Sequence, residues 1–318
     1  MAFRAAIDRH MTLRIITTWE GLKADDRGAS AAMGNFDGVH LGHQAVLDVA
    51  RKPGAPLGVV TFEPHPRQFF APAPTAFRLM SAETRANRLA DYGVERLYQL
   101  PFDAALAALT PEAFVRDVLV RGLGLSHLAV GADFRFGKGR AGDSMSLTRL
   151  GAELGLPVTI ANMVAQTGEQ VSSTSIRTAL AEGRPRDAAR MLGHLHTIDG
   201  MVLGGDRRGR ELGYPTANMS IAGLFPPKFG IYAVRVRVLT GPHIGDYVGA
   251  SSIGVRPMFG ENLANLETFI FDFSGDLYGE HLSVSLVEYL RPEAKFESLE
   301  ALIAQMDADC ARAREILE

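Results

Sequence analysis

Apolar residues recur along the chain in two different rhythms. Between Leu13 and about Gly193, short apolar runs at residues 13–17, 31–33, 57–62, 96–100, 127–131 and 158–163 are separated by stretches with helical spacing. Short runs of this composition joined by helical crossovers predict the strands of a parallel sheet. Helix punctuation agrees. Thr110 can cap a helix that takes Pro111 at its first position and ends at Gly122 or Gly124, and Ser81 and Ser173 offer caps to two more.

After Gly193 the rhythm shortens to period two, with β-rich runs at 197–203, 231–239, 247–253, 266–273 and 282–289 separated by Gly, Asp and Pro. Five or six antiparallel strands without intervening helices predict a small closed barrel. Ser298 then caps an amphipathic helix reaching Leu317. The change of rhythm falls near residues 185–196 and predicts two domains, 1–190 and 191–318.

A length of 318 residues suits two domains, and 47% apolar with 22% charged residues is the mixture of an ordinary globular protein. Acidic and basic side chains nearly cancel, 36 against 33, so there is no global field to hold a nucleic acid. Phosphate chemistry must be local. No segment approaches the ~20 apolar residues that span a bilayer, so no membrane partner is expected and the cytoplasm is the default location. The single cysteine, Cys310, continues the helical stripe of Leu299, Leu302, Ile303 and Met306 and is read as packing.

The segment AAMGNFDGVHLGHQAVL, residues 31–47, runs from an apolar strand through Gly34, Gly38 and Gly42 into a helix beginning near His43. Glycines let a backbone approach a phosphate, and a helix N-terminus presents free N–H groups to it. His40 and His43, spaced HxGH, can both face the turn and donate hydrogen bonds to a triphosphate. Two histidines in a loop are by themselves more often surface residues or metal ligands. A second phosphate candidate, SSTSIR at 172–177, stands at a later helix start: Ser173 and Thr174 offer hydroxyls, and Arg177 a charged fork one turn on. The bland reading of these is an N-cap with a solvated arginine.

GNFDGVHLGH with SSTSIR resembles the nucleotidylyltransferase superfamily, and TFEPHP at 61–66 and GADFRFG at 131–137 resemble its FMN adenylyltransferase branch, over roughly residues 13–190. The resemblance implies a Rossmann-like α/β fold. It implies ATP at Gly34, Phe36, Asp37, His40, His43, Ser173, Thr174 and Arg177, and FMN near Phe62, Pro64, His65 and the loop of Asp133, Phe134 and Phe136. Phe134 and Phe136 suit the flat isoalloxazine ring, and equally suit a core.

In the barrel half, GMVLGGDRRGRELGYPTANM places Gly204, Gly205, Gly209 and Gly213 among arginines, without the order of a P-loop. Thr216 and Asn218 alternate on an extended segment, so two neutral oxygens can face one Mg²⁺ held jointly with phosphates. LGYPTAN, GASSIGVRPMFG, LETFIFDFSGDLYG and LRPEAKF closely resemble riboflavin kinases over nearly all of residues 196–318. That resemblance implies ATP at Gly204, Gly205, Arg210, Gly213, Thr216 and Asn218, Mg²⁺ on Thr216 and Asn218, and Glu267 as the base for the ribityl 5′-hydroxyl. The residues alone also permit Asp272 as base. Alternation puts Leu266, Thr268, Ile270 and Asp272 on one strand face and Glu267, Phe269, Phe271 and Phe273 on the other.

The whole pattern is similar to the prokaryotic bifunctional riboflavin kinase/FMN adenylyltransferases. The resemblance implies riboflavin, FMN, FAD and ATP as substrates and products, and Mg²⁺ as cofactor. Met258, Phe269 and the linker residues His194, Leu195 and His196 depart from the usual family residues. Two rivals are a transferase for another phosphorylated acceptor, and a flavin-sequestering protein without turnover. The attached barrel argues against the first, and the intact His43, Arg177, Thr216, Asn218 and Glu267 against the second.

Overall fold

In a computed structural model, residues 13–71, 76–162, 165–166, 169–204, 214–258 and 261–318 are described. Two compact units result: residues 1–74 with 85–171, and residues 75–84 with 172–318.

In the first unit, strands β1 (Arg14–Ile16), β2 (Ser30–Met33), β3 (Leu57–Glu63), β4 (Arg96–Pro101), β5 (His127–Gly131) and β6 (Val158–Ala161) form one parallel sheet in the order β1-β4-β3-β2-β5-β6. β2, β3 and β5 are covered on both faces, which is why their sequences are apolar nearly throughout instead of alternating. Helices α1 (Leu41–Ala50), α2 (Pro66–Phe70), α3 (Ala82–Asp91) and α4 (Ser144–Glu153) lie among the connections. Thr110 caps the helical turn at Pro111 as expected, and the chain then winds with wider, π-type hydrogen bonds through Phe114–Gly122. From β2 the chain proceeds to β3 on one side, while β5 lies on the other. The crevice beyond the carboxyl ends of β2 and β5 is therefore a topological switch point, where open α/β sheets bind ligands.

In the second unit, helices α5 (Ser173–Ala181) and α6 (Pro185–Leu192) bury Ile176, Leu180, Ala188 and Leu192 together with Leu79. Ser172, one residue before the expected Ser173, caps α5, because its hydroxyl is the one that accepts from the third backbone N–H, that of Ser175. Strands β7 (His196–Met201), β8 (Thr216–Ser220), β9 (Gly230–Val238), β10 (Gly245–Met258), β11 (Glu261–Ile270) and β12 (His281–Arg291) form an antiparallel sheet in the order β7-β12-β9-β10-β11-β8. Its two edges meet at a bridge between Leu203 and Asn218, curling the sheet toward a barrel around Ile198, Val234, Val236, Ile253, Leu266 and Leu286. Helix α7 (Leu299–Leu317), capped by Ser298, packs Ala313 and Leu317 on the outer face over Ala233, Ala250 and Phe271. Cys310 is half-buried beside them, and burial pushes its thiol up to about 11, as a packing residue requires.

Two expectations need correction. β11 ends at Ile270, so strand alternation does not extend to Asp272, which turns through a left-handed φ of 54°, or to Phe273, which packs on Tyr247 and the barrel core. His196 is no mere linker: it opens β7 and is 2% exposed.

Candidate functional sites

The turn after β2 is built from backbone that side chains ordinarily avoid. Phe36, Gly38 and Val39 all have positive φ, 52°, 93° and 42°, and only the glycine does so without steric cost. The turn is over-determined by its neighbours. Phe36 and Val39 are buried, Gly34 N–H donates to Val60 O at 3.1 Å, and Thr61 Oγ1 donates to Asn35 O at 3.3 Å. Arg85, buried, reaches Asn35 O while donating to Glu63 at 3.1 Å and Gln99 at 3.2 Å, so it ties the turn to the ends of β3 and β4. Nothing in the sequence pattern singled out Arg85; its signal is tertiary.

His40 is the N-cap of α1, its Nδ1 accepting from His43 N–H at 3.3 Å. The two imidazoles stack with centroids 3.7 Å apart, and His43 also meets the Phe36 ring at 5.0 Å. A side chain at Gly42 would sit 3.1 Å from the His40 ring, so this position leaves room for the stack. Burial, and then the neighbouring His40, hold the His43 pKa well below its ordinary value; its Nδ1 is buried without a partner among the described residues. His43 is therefore a neutral imidazole in the first turn of α1, directly after the turn that follows β2. Gly34 and Asp37 belong to the same turn, with Asp37 buried.

The loops expected to meet flavin follow β3 and β5, on either side of β2. His65 caps the short helix α2, and Pro64 precedes it. Phe62 and Phe136 are buried core residues, Phe134 stacks on Phe136 at 5.9 Å, and Asp133 is exposed at the tip of its turn. The open aromatic surface lies elsewhere. Phe69, Phe70 and Phe102 form mutual edge-to-face contacts at 5.2–5.8 Å, continuous with Phe62, and Phe70 is 69% exposed. The sequence signal for this cluster was the adjacent Phe pair ending α2.

Ser173, Thr174 and Arg177 occupy the first turns of α5 in the second unit, where Arg177 Nε donates to the Phe77 carbonyl and its guanidinium lies 5.7 Å from the Phe77 ring.

On the outer face of the barrel, β8 pairs with β11 so that Asn218 lies opposite Glu267 and Thr216 opposite Phe269. Asn218 Nδ2 donates to Thr216 O at 3.2 Å and to its Oγ1 at 3.3 Å, which leaves Asn218 Oδ1 as the outward acceptor. Asn265 Nδ2 donates to that oxygen and to Glu267 Oε1, each at 3.3 Å. Phe269 meets Tyr214 and Phe271 at 5.0 and 5.8 Å, giving the carboxylate an aromatic flank. Asp272 is engaged by Arg314 instead, at 2.7 and 2.9 Å. Gly204 is described and open; Gly205, Arg210 and Gly213 lie outside the described residues.

A strand–glycine–helix turn on one sheet, and a carboxylate beside neutral side-chain oxygens on another, suit an enzyme that transfers phosphorus-containing groups. The chain matches the FAD synthetase family over residues 22–175 and the riboflavin kinase family over residues 192–317. It is 41% identical over 307 residues to the bifunctional riboflavin kinase/FMN adenylyltransferase of Pseudomonas fluorescens, covering 95% of this chain and 97% of that one. With the Escherichia coli K12 protein of the same description it is 39% identical over 297 residues, 92% and 94% of the two chains. A crystal structure described as a macrolide-efflux protein from Streptococcus pneumoniae superposes with a TM-score of 0.79 at 30% identity, over 95% of this chain and 99% of that one. Among the described residues no helix is long and apolar enough to cross a membrane. The chain belongs to the bifunctional riboflavin kinase/FMN adenylyltransferase family: it phosphorylates riboflavin to FMN and adenylylates FMN to FAD.

Proposed function

We propose that adenylyl transfer uses the turn after β2 and that riboflavin phosphorylation uses the outer face of β8 and β11, with residues 1–190 serving the first reaction and 191–318 the second. The observation that carries this reading is Glu267 set directly opposite Asn218, a carboxylate beside a neutral oxygen ligand, as transfer from ATP to an alcohol requires.

In the kinase reaction Glu267 takes the proton of the ribityl 5′-hydroxyl as its oxygen attacks the ATP γ-phosphorus, and ADP leaves. Thr216 Oγ1 and Asn218 Oδ1 fit a hard dication, being neutral oxygens on one strand face that share it with phosphates. Mg²⁺ bound there supplies neutralisation of phosphate charge. Gly204, Gly205, Arg210 and Gly213 serve ATP in the same half.

In the adenylyl reaction an FMN phosphate oxygen attacks the ATP α-phosphorus in line, expelling pyrophosphate, and needs no base because it is already ionised. His40 and His43 orient and hydrogen-bond the phosphates with Gly34, Phe36 and Asp37, the neutral state of His43 making it a donor through one N–H. Ser173, Thr174 and Arg177 add hydroxyls and a positive charge at the start of α5. Phe62, Pro64, His65, Asp133, Phe134 and Phe136 border the flavin, and Phe70 offers it an exposed ring. Both reactions consume ATP, which supports the reading of a cytoplasmic enzyme.

The test is a separation of functions. Glu267→Gln is expected to lower riboflavin phosphorylation by about 10²–10⁴-fold while FAD still forms from supplied FMN. His43→Ala is expected to lower FAD formation by about 10²–10³-fold while FMN still forms. Chromatographic resolution of the flavins reads both; either variant affecting both reactions equally would sink the assignment.

A further inference from the structure

Among the described residues of the outer barrel face, the Asn265 side chain is buried, polar and bonded through its nitrogen alone. Asn265 precedes Glu267 by two positions on β11, so the two project from the same face, and β8 pairs Glu267 with Asn218. Asn265 is 3% exposed. Its amide stands between two acceptors, Asn218 Oδ1 and Glu267 Oε1, each 3.3 Å from Nδ2, and only the NH₂ end can satisfy both. Its own Oδ1 is buried and meets no donor among the described residues.

The bonds around Asn218 complete a chain. Thr216 holds the NH₂ end of Asn218 through its carbonyl and hydroxyl oxygens, and Asn265 holds the oxygen end, so the plane of the Asn218 amide is fixed at both ends. The same Asn265 nitrogen also holds one oxygen of the Glu267 carboxylate, whose terminal torsion is intrinsically broad. A buried amide oxygen without a donor weakens the fold relative to an apolar side chain of similar size, so stability does not explain Asn265 at this position.

We propose that Asn265 is a positioning residue for riboflavin phosphorylation, locking the carboxylate of Glu267 and the carbonyl oxygen of Asn218 into one geometry. The proposal rests on the roles given above to Glu267 and Asn218. It acts through those two groups and not through contact with the reacting atoms.

Asn265→Leu removes the donors and keeps the branching of the side chain; Asn265→Val removes them in a smaller side chain. Both are expected to lower kcat for riboflavin phosphorylation by about 10–100-fold, the usual effect of losing a residue that orients a ligand or base. KM for riboflavin should stay unchanged, and the melting temperature of Asn265→Leu should equal or exceed the native value. In a Glu267→Gln background, Asn265→Leu should cost much less than in the native enzyme, because its main target is already gone. The proposal is overturned if Asn265→Leu works within about twofold of the native rate. It is equally overturned if its loss tracks a fall in melting temperature, or if the losses of the two substitutions multiply in full. Glu267→Gln alone reads the base assignment: a native rate there removes that reading, whatever Asn265→Leu does.

Discussion

Asp272 carries a carboxylate close in sequence to Glu267 but in a different physical setting. Arg314 grips it with two hydrogen bonds, and that hydrogen bonding, ahead of the charge itself, holds its pKa below the ordinary carboxylate value. A base already occupied by a guanidinium and made less basic is a poor proton acceptor. Asp272→Asn is therefore expected to leave riboflavin phosphorylation within about tenfold of native, against the 10²–10⁴-fold loss of Glu267→Gln. A larger loss in Asp272→Asn than in Glu267→Gln would reverse the assignment. At the other site, Phe70 contributes ring surface with little burial, so Phe70→Ala should leave the melting temperature unchanged. Its KM for FMN should rise about two- to tenfold, the worth of one aromatic contact. An unchanged KM would move the flavin away from this cluster.

Among the elements, β7 opens with a histidine that burial, and then the neighbouring His194, push down to about 4. A depressed pKa means that the unfolded chain binds the proton first. The stability due to neutral His196 is thus complete above about pH 6.5 and is lost as pH falls toward 4, by about 3 kcal/mol in all. Replacing it by the non-titrating His196→Gln should flatten the fall in melting temperature across that window, leaving the part due to His43 and His127, whose pKa values burial also lowers. An unaltered pH slope would mean that His196 is protonated in the fold. The strands of the parallel sheet were legible because burial on both faces leaves a continuous apolar run, as in β3 and β5. β8 was legible only as an extended segment: Ala217 and Met219 face the barrel core, and Thr216, Asn218 and Ser220 alternate with them. Asn265 was not legible at all, since a polar residue on the outer face of an alternating strand reads as solvated, and only the neighbouring strands bury it. The helix-start placement of His40 and His43 and the strand placement of Asn218 and Glu267 were legible because their motifs are local in sequence.

For the whole molecule, the change of rhythm in the sequence and the division of packing fall in different places. Residues 75–84, inside the stretch matched by the FAD synthetase family, pack with residues 172–318. Phe225 N–H donates to Arg78 O at 2.8 Å, Asp199 N–H to Thr84 Oγ1 at 3.2 Å, and His281 pairs with Glu83 at 2.7 Å. Lys228 N–H likewise donates to Leu180 O at 2.9 Å, supporting helix α5, which carries Ser173, Thr174 and Arg177. A fragment of residues 1–190 keeps every side chain proposed for adenylyl transfer, yet loses all four of these partners and Leu192 at the end of α6. Each lost hydrogen bond is worth about 0.5–1.5 kcal/mol, and the exposed apolar face of α5 and α6 adds to the loss. The fragment is expected to melt below the full chain and to form FAD from supplied FMN more slowly, its rate recovering as temperature is lowered toward that at which the helix pair is formed. Thermal melts and FAD formation on fragment and full chain check this. A fragment with the melting temperature and adenylylation rate of the full chain would show that the segment at 75–84 and helices α5 and α6 need nothing from the barrel.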